Sequence, residues 1–479
     1  MNPDLPAPRL FIDGNWIEPA DRATHTRTNP ANGRILDRLP HATAGDLDLA
    51  LNAASRSFPA WAAVHPRERA RILRHAAETL RQRADTIARA ATLEMGKPVT
   101  EAKIEVAVAA DEMDWLAEEG RRVYGRIIPG LSDGAELSVL HEPIGPSAAF
   151  AAWNFPVVNA VRKIASSLAA GCPCIYKPGE EVAVTSGMVV RALAEAGVPA
   201  GVVALVFGVP GDISEHLIAS PIIRKVSFTG SVAVGRHLMM LAARGMKATT
   251  MELGGHAPVL ILADADIGLA LDLSAKRKYR NAGQVCVSPT RFFVEDAVFQ
   301  QFCDGFGERA EAVRVGDGLD PATEMGPLIH ARRLRTIEEL VADALDHGAT
   351  LVTGGARIGN AGNFYAPTVL ANVPDEARIM NEEPFGPVAI INRAADFEDA
   401  IAQANRLDYG LAAYAFSRDG RRLREAGLRL RAGMVGLNSY SISTPETPFG
   451  GLDDSGHGSE LGIEGLTAYF TTKTISRAD

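Results

Sequence analysis

Cys286 closes the run Asn281-Ala-Gly-Gln-Val-Cys286, and Glu252 opens onto two glycines in Met251-Glu-Leu-Gly-Gly-His256. A cysteine in a polar, glycine-containing loop is a candidate nucleophile on accessible backbone. A glutamate between Met251 and Leu253, hinged by Gly254-Gly255, is a candidate general base whose carboxyl pKa burial would raise toward the working pH. Thiol and carboxylate together, with no metal-ligand spacing around them, can form a thioester and then hydrolyse it. Each residue also has a plainer reading: a free cysteine is most often an inert small hydrophobe, and most glutamates are solvated. The thiol must ionise to react, from an ordinary pKa of about 8.5, and a helix N-terminus or a cation would help. No second cysteine lies in the loop, which argues against a local redox switch. Cys172 and Cys174 form a C-x-C pair in a strand-like run, where core packing is favoured over metal binding.

Three further stretches can serve such a centre. In Trp153-Asn154-Phe155-Pro156 two readings stay open: Asn154 caps the helix that follows, or its amide points into the site as an oxyanion donor. Phe228-Thr-Gly230-Ser231-Val-Ala-Val-Gly235 joins a strand to a helix; Arg236-His237 stand where a Walker A loop has Lys-Ser/Thr, and the spacing is not G-x-G-x-x-G. A Gly-Ser turn at a helix N-terminus still suits a phosphate. Lys177-Pro-Gly-Glu180 ends a strand-like run, at the strand end where open parallel sheets bind ligands. A carboxylate there can accept hydrogen bonds from ribose hydroxyls and repels a 2′-phosphate.

These residues need a scaffold, and the chain is long enough for two or three domains at 479 residues. Apolar spacing predicts helices over 46–61, 66–93 and 99–119. The stretch 121–134 breaks that pattern, with a strand-like piece at 137–142 after it. Strand–helix alternation follows, with strands expected at 146–152, 172–176, 202–207, 225–228 and 258–262. A second series is expected at 291–294, 350–352, 387–391, 412–416 and 434–437. Alternation of this kind implies parallel sheets with crossover helices. The tail 466–476 reads as a strand with no partner nearby, open to pairing with another subunit. Hydrophobic content is 47% and net charge −9, which argues against nucleic acid or an anionic membrane as main partner. Four scattered cysteines fit a reducing compartment, no apolar run approaches the ~18 residues of a membrane span, and the start, with Asp4 and two prolines before Pro8, has no apolar signal core. A cytoplasmic enzyme is the expectation.

Taken together, the motifs resemble the aldehyde dehydrogenase superfamily over nearly the whole chain, from Asn29-Pro30-Ala to Gly458-Ser-Glu460. They are Trp153-Asn-Phe-Pro, Lys177-Pro-Gly-Glu, Phe228-Thr-Gly-Ser, Met251-Glu-Leu-Gly-Gly, Gly283-Gln-Val-Cys, Glu383-Pro-Phe-Gly-Pro387 and Pro448-Phe-Gly-Gly451. The resemblance implies an α/β chain with a Rossmann-like NAD-binding domain (1–119 and 143–254), an α/β catalytic domain (255–454) and a β oligomerisation arm (120–142 and 465–479). It implies Cys286 as nucleophile, Glu252 as general base, and Asn154 with the Cys286 N–H as oxyanion hole. Cofactor contacts would come from Trp153, Lys177, Glu180, Phe228, Gly230, Ser231, Leu253, Glu383 and Phe385, with NAD as cofactor, NADP possible, and no metal. Departures are Ala152 before the Trp-Asn-Phe-Pro run, where proline is usual, and Val232-Ala233 after Gly-Ser.

The implied reaction is non-acylating oxidation of an aldehyde to its acid, by a small-molecule enzyme assembled as a homodimer or homotetramer. Within the family the chain looks nearest to succinate-semialdehyde and 2-oxoglutarate-semialdehyde dehydrogenases; succinate semialdehyde is the expected substrate, with 2-oxoglutarate semialdehyde or a broader aldehyde range as the alternatives. Arg162, Arg280 and Ser443 would hold a carboxylate tail through charge-assisted bonds; structural ion pairs are the other reading of both arginines. Two rival functions remain: a cysteine hydrolase with His256 as base, and a non-catalytic protein on the same fold.

Overall fold

The computed structural model describes residues 6–18, 22–130, 132 and 135–477; the expectations touching Asp4 and Gly134 lie outside them. Helices form where the apolar spacing predicts them, with one difference. The stretch expected as a single helix over 66–93 is two, Pro66–Gln82 and Ala84–Met95, broken at Arg83. Ala44–Ala63 starts on a reciprocal cap between Thr43 and Asp46. Pro66 occupies the first turn of its helix, where a missing N–H costs nothing. Val99–Glu119 follows. Packed against it is Pro156–Ala170, every residue of which is buried, polar ones included. A helix buried on all sides needs a partner for each polar group it carries, and those partners build the site.

Two sheets flank that region. The first has eight strands. At its centre Val203–Leu205, Cys174–Lys177, Ser147–Phe150, Lys225–Thr229 and Ala248–Glu252 run parallel. The second has seven, six of them parallel, with Pro258–Ile261 between Arg291–Glu295 and Ala412–Phe416. The expected first series therefore needs correction. Pro258–Ile261 belongs to the second sheet, and the fifth parallel strand of the first is Ala248–Glu252, which was not anticipated; nor was Thr368–Ala371. Between Glu252 and Pro258 only Leu-Gly-Gly-His-Ala carries the chain from one sheet to the other. Glu252 thus sits at the carboxyl end of a parallel strand, beside the crossing.

The carboxy-terminal strand, Phe470–Arg477, has a partner inside its own chain, contrary to expectation. It pairs antiparallel with Glu136–Pro143, from Phe470↔Pro143 to Arg477↔Glu136, and Glu136–Pro143 pairs with Arg126–Pro129. The residues before it, Gly462–Thr467, are helical. Among the described residues no helix is long and apolar enough to cross a membrane.

Candidate active site

Cys286 is presented by an unusual turn. Asn281, Ala282 and Gly283 all have positive φ (49°, 53° and 70°), a conformation that side chains with a Cβ resist. At Gly283 a Cβ would drive into the Gly386 carbonyl, so the Cys286 loop and the Glu383-Pro-Phe-Gly run pack backbone to backbone. The loop is fixed from below: Gln284 Oε1 accepts from Ile329 N (3.0 Å), and the Asn281 amide donates to the carbonyls of Asn154 and Gln284 (3.2 Å each).

The two glycines after Glu252 explain how carboxylate and thiol come to share a pocket. A Cβ on Gly254 would collide with the Glu383 carboxylate. One on Gly255 would lie 2.8 Å from the Cys286 carbonyl oxygen. Cys286, Glu252 and Asn154 all line one cavity of about 340 Å³. Cys286 is half-buried there. Burial, then the nearby carboxylates of Glu383 and Glu252, pushes its thiol up to about 12. Glu252 is buried, and neither of its carboxylate oxygens has a hydrogen-bond partner. Burial first, and the Glu460 carboxylate second, hold its pKa well above the ordinary carboxylate range. An ionisable group left unbonded in a cavity is available to water and substrate.

Asn154 is not a helix cap. Phe155 occupies the cap position, without a side-chain bond. The Asn154 amide instead donates to the Gln284 carbonyl (3.2 Å), which leaves its second hydrogen for the cavity. Lys97 donates to the Asn154 carbonyl from behind (2.9 Å). His256 faces elsewhere: its ring nitrogens are engaged by Thr290 Oγ1 (2.7 Å) and the Ile379 carbonyl (2.9 Å), in full burial. It is not positioned as a base for Cys286.

The expected tail residues all line the same cavity. Arg162 is held by Glu112 through Nε (3.0 and 3.1 Å) and Nη2 (2.6 Å) and lies over the Phe449 ring. The structural ion-pair reading thus holds for two of its nitrogens. Arg280 lies over the Phe155 ring, 5.1 Å from its centroid, and Ser443 is exposed at the rim.

Four charged residues near the centre escaped the sequence reading. Lys163, fully buried on the inner helix, pairs with Glu460, and both act on Glu252 in opposite directions. Lys276-Arg277-Lys278 reads in sequence as a solvated basic stretch at a helix end. With residues 100° apart on a helix, the three point in different directions. Lys276 is exposed, Arg277 lines the cavity, and Lys278 is fully buried by Ser288 and near Glu383, its pKa pushed down to about 7 by burial.

Most of the expected cofactor residues lie at or just past the carboxyl ends of the central strands of the first sheet, while Glu383 and Phe385 follow the short helix Arg378–Asn381. Lys177 and Glu180 form an ion pair after the strand Cys174–Lys177. Ser231 precedes the helix Val232–Ala243 and makes no side-chain cap bond, so the hydroxyl and the first N–H groups of that helix are uncommitted. Leu253 packs against Gly235, where a Cβ would clash with it. Trp153 stands edge-on to Phe385 (5.6 Å), and burial raises the Glu383 carboxyl to about 7 against the pull of the Gly255 N–H. A turn with free N–H donors for phosphates and carboxylates for two riboses fits a dinucleotide.

Residues 16–475 match the model of the aldehyde dehydrogenase family. The chain is 45% identical to 4-(hydroxymethyl)benzenesulfonate dehydrogenase TsaD1 of Comamonas testosteroni over 97% of both chains. It is 41% identical to the NADP-linked succinate-semialdehyde dehydrogenase GabD of Escherichia coli K12, over 97% of this chain and 96% of that one. The crystal structure of succinate-semialdehyde dehydrogenase from Burkholderia pseudomallei superposes with a TM-score of 0.97 at 39% identity, covering 100% of this chain and 99% of the other. The chain belongs to the aldehyde dehydrogenase family, and with it to the NAD(P)-dependent oxidoreductases that act on aldehydes. Among anionic tails the sequence reading weighed only carboxylates; the name of the Comamonas relative carries a sulfonate.

Proposed function

We propose that this enzyme oxidises an aldehyde with an anionic tail to the corresponding acid through a thioester on Cys286. Succinate semialdehyde represents the carboxylate class. The observation that carries the reading is one cavity holding a thiol, an unbonded buried carboxylate and three guanidiniums (Arg162, Arg277 and Arg280). A sulfonate tail is a second reading, favoured by the 45% identical relative.

Cys286 loses its thiol proton to solvent, and the thiolate adds to the aldehyde carbon as the carbonyl π pair moves onto oxygen. The Asn154 amide and the Cys286 N–H stabilise that oxyanion; one such donor is typically worth ~10²–10³ in rate. Lys177, Glu180 and Glu383 would hold a nicotinamide dinucleotide, which would supply the hydride acceptor. The oxyanion re-forms the carbonyl as hydride leaves, giving the thioester. Glu252 then takes a proton from water, the water oxygen bonds to the acyl carbon, and the C–S bond breaks to return the thiolate. A base dedicated to water at this position supports hydrolysis over transfer to coenzyme A.

Glu180 beside Lys177 supports NAD over NADP, because a carboxylate at the ribose repels a 2′-phosphate. Glu180→Ser is expected to narrow the NAD:NADP ratio of kcat/KM. The three-stranded arm supports a homo-oligomer, and the free thiols Cys172, Cys174, Cys286 and Cys303 support a reducing compartment such as the cytoplasm. The test of the tail reading is a panel of succinate semialdehyde, 4-formylbenzenesulfonate, benzaldehyde and hexanal. The charged aldehydes should have the higher kcat/KM; no difference by charge would reject the anionic tail.

A further inference from the structure

We infer that Arg277 is the guanidinium that pairs with the anionic end of the substrate, making it the specificity-determining charge of the cavity. This deepens the anionic-tail reading above and rests on it.

The argument is one of charge balance. Most ionised side chains around the cavity have a protein counter-charge. Arg162 is bound to Glu112 through three contacts of 2.6–3.1 Å. Asp111 pairs with Arg81, which it shares with Asp114 (2.7 Å each), and Lys163 pairs with Glu460. Arg280 and Lys97 face Glu101 and Glu105, so that group is neutral as a set. Arg277 differs. Among the described residues it forms no salt bridge, and its Nε is buried without a hydrogen-bond partner. The groups beside it are the hydroxyls of Tyr414 and Tyr440. Neither carries a charge: Tyr414, which shares a side-chain hydrogen bond with Arg277, donates onward to the Val287 carbonyl (2.8 Å), and Tyr440 pairs with Ser274 Oγ (2.7 Å).

Position tempers the imbalance without removing it. Arg277 lies in the last turn of the helix Ile267–Tyr279, whose negative end offsets only part of its charge. Arg280, three residues on, faces the same cavity, and the two cations oppose each other: Arg280 is held below its ordinary pKa by burial first and by Arg277 next. Two guanidiniums with one anion's worth of missing charge form a site for one terminal oxyanion. A carboxylate and a sulfonate share that chemistry.

The experiment compares wild type, Arg277→Met and Arg277→Lys with succinate semialdehyde, 4-formylbenzenesulfonate and benzaldehyde. A charge-assisted hydrogen bond lost from a desolvated site corresponds to about 10- to 100-fold. Arg277→Met should lower kcat/KM for the charged aldehydes by that factor, chiefly through KM, and lower it much less for benzaldehyde. Arg277→Lys should recover part of the loss, and it carries the test if the Met variant does not fold, since its KM should rise for the charged aldehydes only. The charged substrate with the greater loss is the tail the site fits better. If wild type prefers charged aldehydes and either variant changes all three substrates alike, Arg277 is not the tail contact, while the anionic-tail reading stands. If wild type shows no such preference, both fall.

Discussion

Glu252 is where composition and environment diverge most. A carboxylate is ordinarily ionised at neutral pH, yet burial and Glu460 keep this one protonated to well above its usual range. As a base it acts only when ionised, so thioester hydrolysis should slow as pH falls through that raised pKa. Glu460→Gln removes a charge that pushes the pKa up and frees Lys163, which pulls it down; the acidic limb of the kcat profile should move to lower pH. A limb that stays in place would separate Glu460 from the base. Stability carries the same sign. A carboxyl whose folded pKa is raised favours the fold at acid pH and penalises it as pH climbs toward that pKa. Glu252→Gln should therefore melt above wild type, with a gap that widens as pH rises from the ordinary glutamate range toward the raised pKa of Glu252; a constant gap would mean that ionisation is not the cause. The sequence made Glu252 and Cys286 visible because their neighbours are unusual for their types. It hid Arg277 and Glu460, whose surroundings come from distant segments, and whose types read as ordinary surface charge.

The elements that matter most here are the shortest. The crossing Leu253-Gly-Gly-His-Ala257 joins the two sheets and sets the distance from Glu252 to Cys286. Gly255→Ala would place a methyl 2.8 Å from the Cys286 carbonyl oxygen and 3.1 Å from Leu411 Cβ. A displacement of the nucleophile by about 1 Å can cost ~10²-fold, so kcat should drop by about that much while the circular dichroism spectrum is kept. Near-wild-type kcat would show that the crossing tolerates bulk. This region was also the hardest to read. Ala248-Thr-Thr-Met-Glu252 has no apolar run, because Thr250 is satisfied inside the protein by Lys225 (2.7 Å); a strand whose hydroxyls are bonded in the core looks like a loop in sequence. The helical pattern ahead of it was plain, since burial on one side imposes a 3.6-residue period. The break at Arg83 was not, as no glycine or proline marks it.

The molecule as a whole lines one charged cavity with the thiol and adds a three-stranded arm that contributes no residue to that lining. That arm exposes Tyr124, Ile127, Leu140 and Ile475, with Ile127 71% exposed. Apolar side chains on a three-stranded sheet call for a cover, and a second copy of the chain is the proposed one. Light scattering should give a mass that is a multiple of 50.9 kDa, and Ile127→Glu should lower it. A monomer at micromolar concentration in the unaltered protein would contradict this. The overall architecture was readable because alternating strands and helices admit few connections. The resemblance grouped the two segments of the arm, but their pairing could not be read from the residues, because Glu136–Pro143 and Phe470–Arg477 lie more than three hundred residues apart.

The central claim is that Cys286 and Glu252 divide the reaction, one carrying the acyl group and the other releasing it. Rapid mixing of Glu252→Gln with NAD and succinate semialdehyde measures this directly. The prediction is a burst of reduced nucleotide approaching one per active site, followed by turnover slowed by ~10²–10⁴, with the acyl group recoverable on Cys286. Steady turnover at the wild-type rate, with no burst and an unmodified thiol, would contradict it.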